Sequence, residues 1–268
     1  MNEPAATNQV GMPRAMVNDL LGRSAELIAS YGGLTSLVNS PHEVDYGHKY
    51  LFYTLDNRPE NAFPITYLAA LRDADAAGAL DAVNVIGLQF YPGFHHRADL
   101  GGMQGPAVPP SWLVDTVESY AEFGKAIHIT EFSIPSSYGN GWVSGYWRKP
   151  WSPETQAEYA EAVFTLMFGN PRVQSVSWWD VTDQKPSIVT GGLVDASGAL
   201  KPAFERIQKL LDGWTTQETG TTGASGTVQL AGFGGGYDVE ASLPAGAVLK
   251  SAAVIRERDV AKLTLKQE

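Results

Sequence analysis

The sequence predicts an α/β fold: a parallel sheet covered by helices, amounting to half of a barrel, followed by a small all-β module. Two observations carry this. Strand-length apolar runs alternate with amphipathic helical stretches over the first four-fifths of the chain. From about Thr215 the composition changes, with Thr and Gly crowding together in "TTQETGTTGASG" before short alternating runs. The length of 268 residues, 44% of them hydrophobic, suffices for a sizeable core and suits one barrel-sized domain or a smaller one with an appendage.

Each element has its own signal. Residues 17–30, "VNDLLGRSAELIAS", place Leu20, Leu21, Leu27 and Ile28 at helical spacing and stop at Gly32-Gly33. "KYLFYTL", 49–55, is an apolar run of the kind buried on both faces of a parallel sheet. "ITYLAALRDADAAG", 65–78, reads as a helix with a glycine stop, and "AVNVIGLQFY", 82–91, as the next buried strand. Residues 110–124 are helical with Ser111 as a candidate cap, and "AIHITEF", 126–132, is a strand. The helix over 152–169 has Ser152 at its cap position, Pro153 in its first turn and Gly169 as its stop. A strand over 173–181 and a helix over 201–213 complete the alternation. Beyond them, "TVQLAGF", "YDVEASL" and "AKLTLKQ" read as strands of a small antiparallel module, so the predicted domains are 1–214 and 215–268.

Composition narrows the function. A net charge of −10 disfavours nucleic acid and anionic membrane as partners, since those surfaces reward clustered Lys and Arg; a neutral ligand fits better. With no cysteine there is no disulfide framework, thiol nucleophile or cysteine-ligated zinc. No apolar run approaches membrane-spanning length, and no secretion signal precedes Asn2.

Two carboxylates stand out. Glu131 ends the run "IHITEF", where a parallel-barrel strand delivers its side chain to the catalytic face. Glu3 lies in Asn2-Glu3-Pro4 near the start of the chain. Glycosidic cleavage needs two carboxyl groups, one to protonate the leaving oxygen and one to attack the anomeric carbon or activate water. The segments "NEP", "IGLQFY", "IHITEF", "SVSWWDVTD" and "GGLVDASGALKPAFERI" occur in an order and spacing that resembles the family 10 glycoside hydrolases, the xylanase family of the retaining (β/α)8 clan.

That resemblance, spanning Asn2 to about Trp214, implies strands 5–8 and the end of strand 4 of a TIM barrel, and a chain that starts in mid-barrel. It implies Glu3 as acid/base, Asn2 as the neighbour that hydrogen-bonds the sugar 2-hydroxyl, Glu131 as nucleophile, Gln89 beside it, and Trp179 as the aromatic floor under the cleaved sugar. The chain departs from the family's pattern in four places. Tyr91 replaces a His, Asp180 a Gly, and Ser187-Ile188 the usual Ser-Trp, while "YTLDN" only loosely echoes the fifth strand's Asn-Asp-Tyr. Tyr91 retains the ability to hydrogen-bond a nucleophilic carboxylate.

Further candidates lie in loops. His95 and His96 follow the 82–91 strand, with His96 placed to reach a bound sugar; no clustered partners at ligand spacing suggest a metal. Trp142, Trp147 and Trp151 occupy a Gly-rich loop after Glu131, and one of them, taken as Trp142, is expected to stack on a sugar ring. His128, three residues before Glu131, is placed by strict alternation on the opposite face, toward the helices. The expected function is retaining hydrolysis of a β-1,4-linked, xylan-like plant polysaccharide, with no metal or organic cofactor and the chain inert by itself. The full-length protein is expected to be secreted or extracytoplasmic, and self-association through an open sheet edge is expected of the piece. The rival is a non-catalytic carbohydrate-binding or adhesion fragment.

Overall fold

The computed structural model describes residues 13–39, 67–93, 109–137, 146–186, 190–244 and 246–255. The chain divides into two compact units, Met1–Ile207 and Gln208–Glu268.

The first unit is built on four parallel strands that pair in chain order: β1 (Leu37–Asn39), β2 (Val85–Phe90), β3 (Ala126–Phe132) and β4 (Val173–Trp178). Around them run α1 (Arg14–Ser30), α2 (Tyr67–Ala76), α3 (Pro110–Ser119), α4 (Pro153–Phe168) and the start of α5 (Pro202–Trp214), whose residues from Gln208 on fall in the second unit. Sequential parallel pairing with intervening helices is the plan of a (β/α)8 barrel, here as a partial barrel. The expected strand at 49–55 lies outside the described residues; the strand beside β2 is Leu37–Asn39. Its start is fixed by Ser36, whose hydroxyl donates to Ala82 O at 2.8 Å and whose amide donates to Asn84 Oδ1 at 2.9 Å.

Both faces of β2 are buried, as its apolar run requires. On the helix-covered face, Val38, Ile86, Leu88, Ile127, Ile129 and Phe132 pack into one core with Leu113, Val117 and Val163. Phe132 meets Trp178 and Phe164 edge-on at centroid distances of 5.2 and 6.1 Å, pairings that stabilise by about 0.5–1.5 kcal/mol each beyond their area. On the opposite, inner face Leu37 and Val85 lie at the start of their strands, and the positions that follow are small or polar. A methyl at Gly87 would overlap the Asn39 amide oxygen and come within 2.9 Å of Thr130 Cγ2, so Asn39, Gly87 and Thr130 share this face.

Helix ends follow the expected chemistry in part. Ser152 Oγ accepts from the Thr155 amide at 3.1 Å, Pro153 opens α4, and Gly169 ends it. Ser111 is no cap: α3 starts one residue earlier, with Pro109 at the capping position and no side-chain bond. The stripe that α1 buries is Val17, Leu21 and Ala25, while Leu20 and Leu27 are exposed.

In the second unit, β5 (Gly235–Ser242) and β6 (Val248–Ile255) form an antiparallel pair running from Gly235↔Ile255 to Ser242↔Val248. Tyr237, Val239, Ala241, Leu249, Ala253 and Ile255 share its half-buried face. The run 227–233 forms no strand, and the run 261–267 lies outside the described residues.

Candidate active site

Glu131 is delivered by an irregularity in β3. In the β2–β3 ladder Gly87 pairs with His128 and Leu88 with Ile129, but Gln89 pairs with Glu131, leaving Thr130 as an extra residue. The bulge is pinned from the inner face: the Thr130 hydroxyl lies 2.6 Å from Asn39 Oδ1 and 3.1 Å from Leu88 O. Paired residues of neighbouring strands point the same way, so Gln89 and Glu131 both face inward, and Phe132 is free to enter the core.

The bulge also corrects the expectation for His128. Strict alternation placed it toward the helices; with one extra residue between them, His128 and Glu131 lie on the same inner face. The His128 Nε2 atom is 3.4 Å from Gln174 Oε1, in an exposed contact on that face.

Tyr91, buried just past the end of β2, donates its phenol hydrogen to Glu131 Oε2. A neutral donor to a carboxylate makes a charge-assisted bond of about 1.5–3 kcal/mol, which orients the carboxylate and stabilises its ionised form. Gln89 is fully buried next to this pair. Trp179 follows β4 directly; its amide donates to Phe132 O at 2.9 Å and the residue is 39% exposed, open enough to meet a ligand. The C-terminal ends of three neighbouring strands thus present Tyr91, Glu131 and Trp179, at the end of the sheet where parallel barrels do chemistry.

Glu3, Asn2, His95, His96 and Trp142 lie outside the described residues. Trp147 and Trp151, the other two tryptophans considered for stacking, are buried. They pack edge-on against Tyr159 of α4 at 5.1 and 5.9 Å, so they fasten their loop to the barrel wall.

Sequence reasoning missed Asn39 and Thr130, whose roles depend on a three-residue strand and a bulge. It did mark Asp180 as a departure from a family glycine, and the reason is conformational: Asp180 has φ +61°, in the region that favours glycine.

The parallel sheet and the residues at its C-terminal end follow the plan of a partial (β/α)8 barrel. The model of glycosyl hydrolase family 10 matches residues 81–210, from the turn before β2 into α5. Over that segment, just under half of the chain, the sequence is similar to that family. Among curated proteins it is similar to endo-1,4-beta-xylanase 3 of Arabidopsis thaliana, with 24% identity over 203 residues, 76% of this chain and 23% of that protein. The chain therefore spans under a quarter of the length of the curated relative it matches. Among solved structures it is similar to a family 128 (subgroup II) endo-beta-1,3-glucanase from Sorangium cellulosum, with 20% identity, coverage of 77% of this chain and 66% of that one, and a TM-score of 0.49. A family 10 xylanase from Thermobacillus composti gives 20% identity, coverage of 78% and 60%, and a TM-score of 0.47.

Proposed function

We propose that this chain is the part of a retaining glycoside hydrolase that carries the nucleophile, acting on β-1,4-linked, xylan-like plant polysaccharide. Glu131 attacks the anomeric carbon, and Glu3 protonates the leaving oxygen and then activates the water that releases the sugar. The observation that supports this reading best is Glu131 at the C-terminal end of a parallel strand with the buried Tyr91 hydroxyl donating to it. Gln89 fills the space beside the carboxylate, and Trp179 offers a ring face to the sugar.

The experiment is a covalent trap that needs no general acid. In an activated dinitrophenyl 2-deoxy-2-fluoro-β-xyloside, the leaving group departs as phenolate, taking the C–O bonding pair, while a Glu131 carboxylate oxygen bonds the anomeric carbon. Intact mass followed by peptide mapping is expected to find one sugar, on Glu131, with Glu131→Gln unlabelled. Sugar binding with no label on wild-type chain would favour the non-catalytic binding fragment instead.

A further inference from the structure

A cluster of buried polar groups lies behind the site, where the segment after β3 meets the segment between β4 and α5. Its centre is Lys201, 6% exposed, at the threshold of α5. An ammonium has three hydrogens and no acceptor, and here each finds an oxygen: the Asp183 carboxylate, Ser136 Oγ at 2.9 Å and Thr190 O at 3.1 Å. The other Asp183 oxygen accepts from the Gly192 amide at 2.8 Å. Thr190 O also accepts from the Ser136 amide and hydroxyl, both at 3.0 Å.

Thr190 has φ +58°. For a β-branched residue this conformation is costly and persists only where surrounding bonds over-determine it. Five bonds from three residues do so here, three from Ser136, one from Lys201 and one from the Gln156 side-chain amide. Neighbouring bonds repeat the pattern: Ser133 Oγ donates to Gly191 O at 3.1 Å, and Trp178 Nε1 to the same oxygen at 2.9 Å. Together they join residues 133–136, just past Glu131, to residues 190–192, the return of the loop that leaves Trp179. Burying an ion pair adds little stability over an apolar pair of similar volume, so stability alone is a poor account of it; fixing one geometry is a better one.

We propose that Lys201 is a positioning residue of the active site. Its ammonium, held by Asp183, keeps Thr190 in its left-handed conformation and so locks the ends of β3 and β4, with Glu131 and Trp179, into one arrangement. Its catalytic consequence rests on Glu131 being the nucleophile; its structural consequence does not.

The test uses the 268-residue chain with Lys201→Met/Asp183→Leu, which exchanges the ion pair for an apolar one, and Ser136→Ala, which removes one hydroxyl that accepts from Lys201 and donates to Thr190 O. Two readouts are compared: hydrogen exchange of the Ser136 and Trp179 amides against that of Ile129 within β3, and the kinetics of Glu131 labelling by the fluoro-xyloside. In the double variant, Ser136 and Trp179 are expected to exchange about tenfold faster with Ile129 unchanged. The maximal labelling rate is expected to fall about tenfold, while the half-saturating concentration moves less than about threefold. Ser136→Ala is expected to shift both in the same direction by less, and it carries the comparison if the double variant fails to fold. A folded variant with wild-type exchange and wild-type labelling overturns the proposal. If the wild-type chain takes no label, the nucleophile assignment fails separately, and the exchange pattern alone decides: localised acceleration supports the clamp, and unchanged exchange refutes it.

Discussion

Gly87→Ala is expected to destabilise the first unit by about 2–4 kcal/mol, although its backbone takes no conformation reserved for glycine. The cost arises because β2 leaves room at this position for the Asn39 amide to cross its inner face and reach Thr130. A Cβ at Gly87 overlaps Asn39 Oδ1 and sits 2.9 Å from Thr130 Cγ2, inside ordinary van der Waals separation on both sides. Asn39 is 6% exposed and has little space to retreat. Overpacking of this kind costs about 1–3 kcal/mol. Displacing the amide also breaks the 2.6 Å bond from Thr130, a further loss of about 0.5–1.5 kcal/mol. The assay is urea unfolding at unchanged slope. Gly169→Ala serves as the control, since its added methyl would lie 3.6 Å from Thr165 O with ordinary backbone angles. A midpoint shift for Gly87→Ala no larger than the control's would refute the packing account.

Four other outcomes are expected. Tyr67 is buried with its hydroxyl 3.0 Å from Val38 O, and burial, then Tyr120, raises its pKa. Its contribution is therefore fully present below about pH 10 and lost as pH climbs above that value, so Tyr67→Phe should flatten the alkaline arm of a stability–pH curve; an unchanged arm would disprove it. Asp180→Gly should raise stability by about 1 kcal/mol by relieving φ +61°, and a lower melting temperature would show that contacts of Asp180 outweigh the strain. Trp179→Ala, at a residue 39% exposed, should barely move the melting temperature yet raise the half-saturating concentration of the fluoro-xyloside; a saturation curve that does not shift would make the ring irrelevant to sugar. Expressed alone, the 268 residues should self-associate through β1 and β4, each of which pairs on one side only among the described residues, and hydrolyse xylan negligibly; a monodisperse, active monomer silenced by Glu131→Gln would overturn this.

What was legible in the sequence had punctuation around it. β3 emerges at its predicted bounds because a glycine turn precedes a run in which Ile127 and Ile129 alternate with polar residues, and α4 because Ser152, Pro153 and Gly169 mark both ends. β1 was not legible, because three residues are too few to show a period. The strand expected to reach Val181 stops at Trp178 because Asp180 leaves the extended region. The tryptophans at 147 and 151 had no signal separating a ring that faces sugar from one that faces Tyr159. Lys201 was visible only as part of a helix start, since burial of its ammonium depends on oxygens that lie far apart in sequence.

The bulge at Thr130 links the fold to the chemistry. Ile127 and Ile129 point into the helix-side core, so a regular strand would send residue 131 the same way and turn residue 132 inward. A carboxylate would then enter an apolar layer without compensating charge, and a phenylalanine would face the candidate site. One extra residue reverses both assignments: Phe132 packs on Phe164 and Trp178, and Glu131 comes to lie beside Gln89, within reach of Tyr91. The extra residue needs a partner for its hydroxyl, which Asn39 supplies, and Asn39 needs clearance over β2, which Gly87 supplies. The orientation of the proposed nucleophile is therefore set by three residues on three strands, none of them a carboxylate and none expected to touch the sugar. For that reason a packing change at Gly87 should be felt in the labelling rate of Glu131 as well as in unfolding.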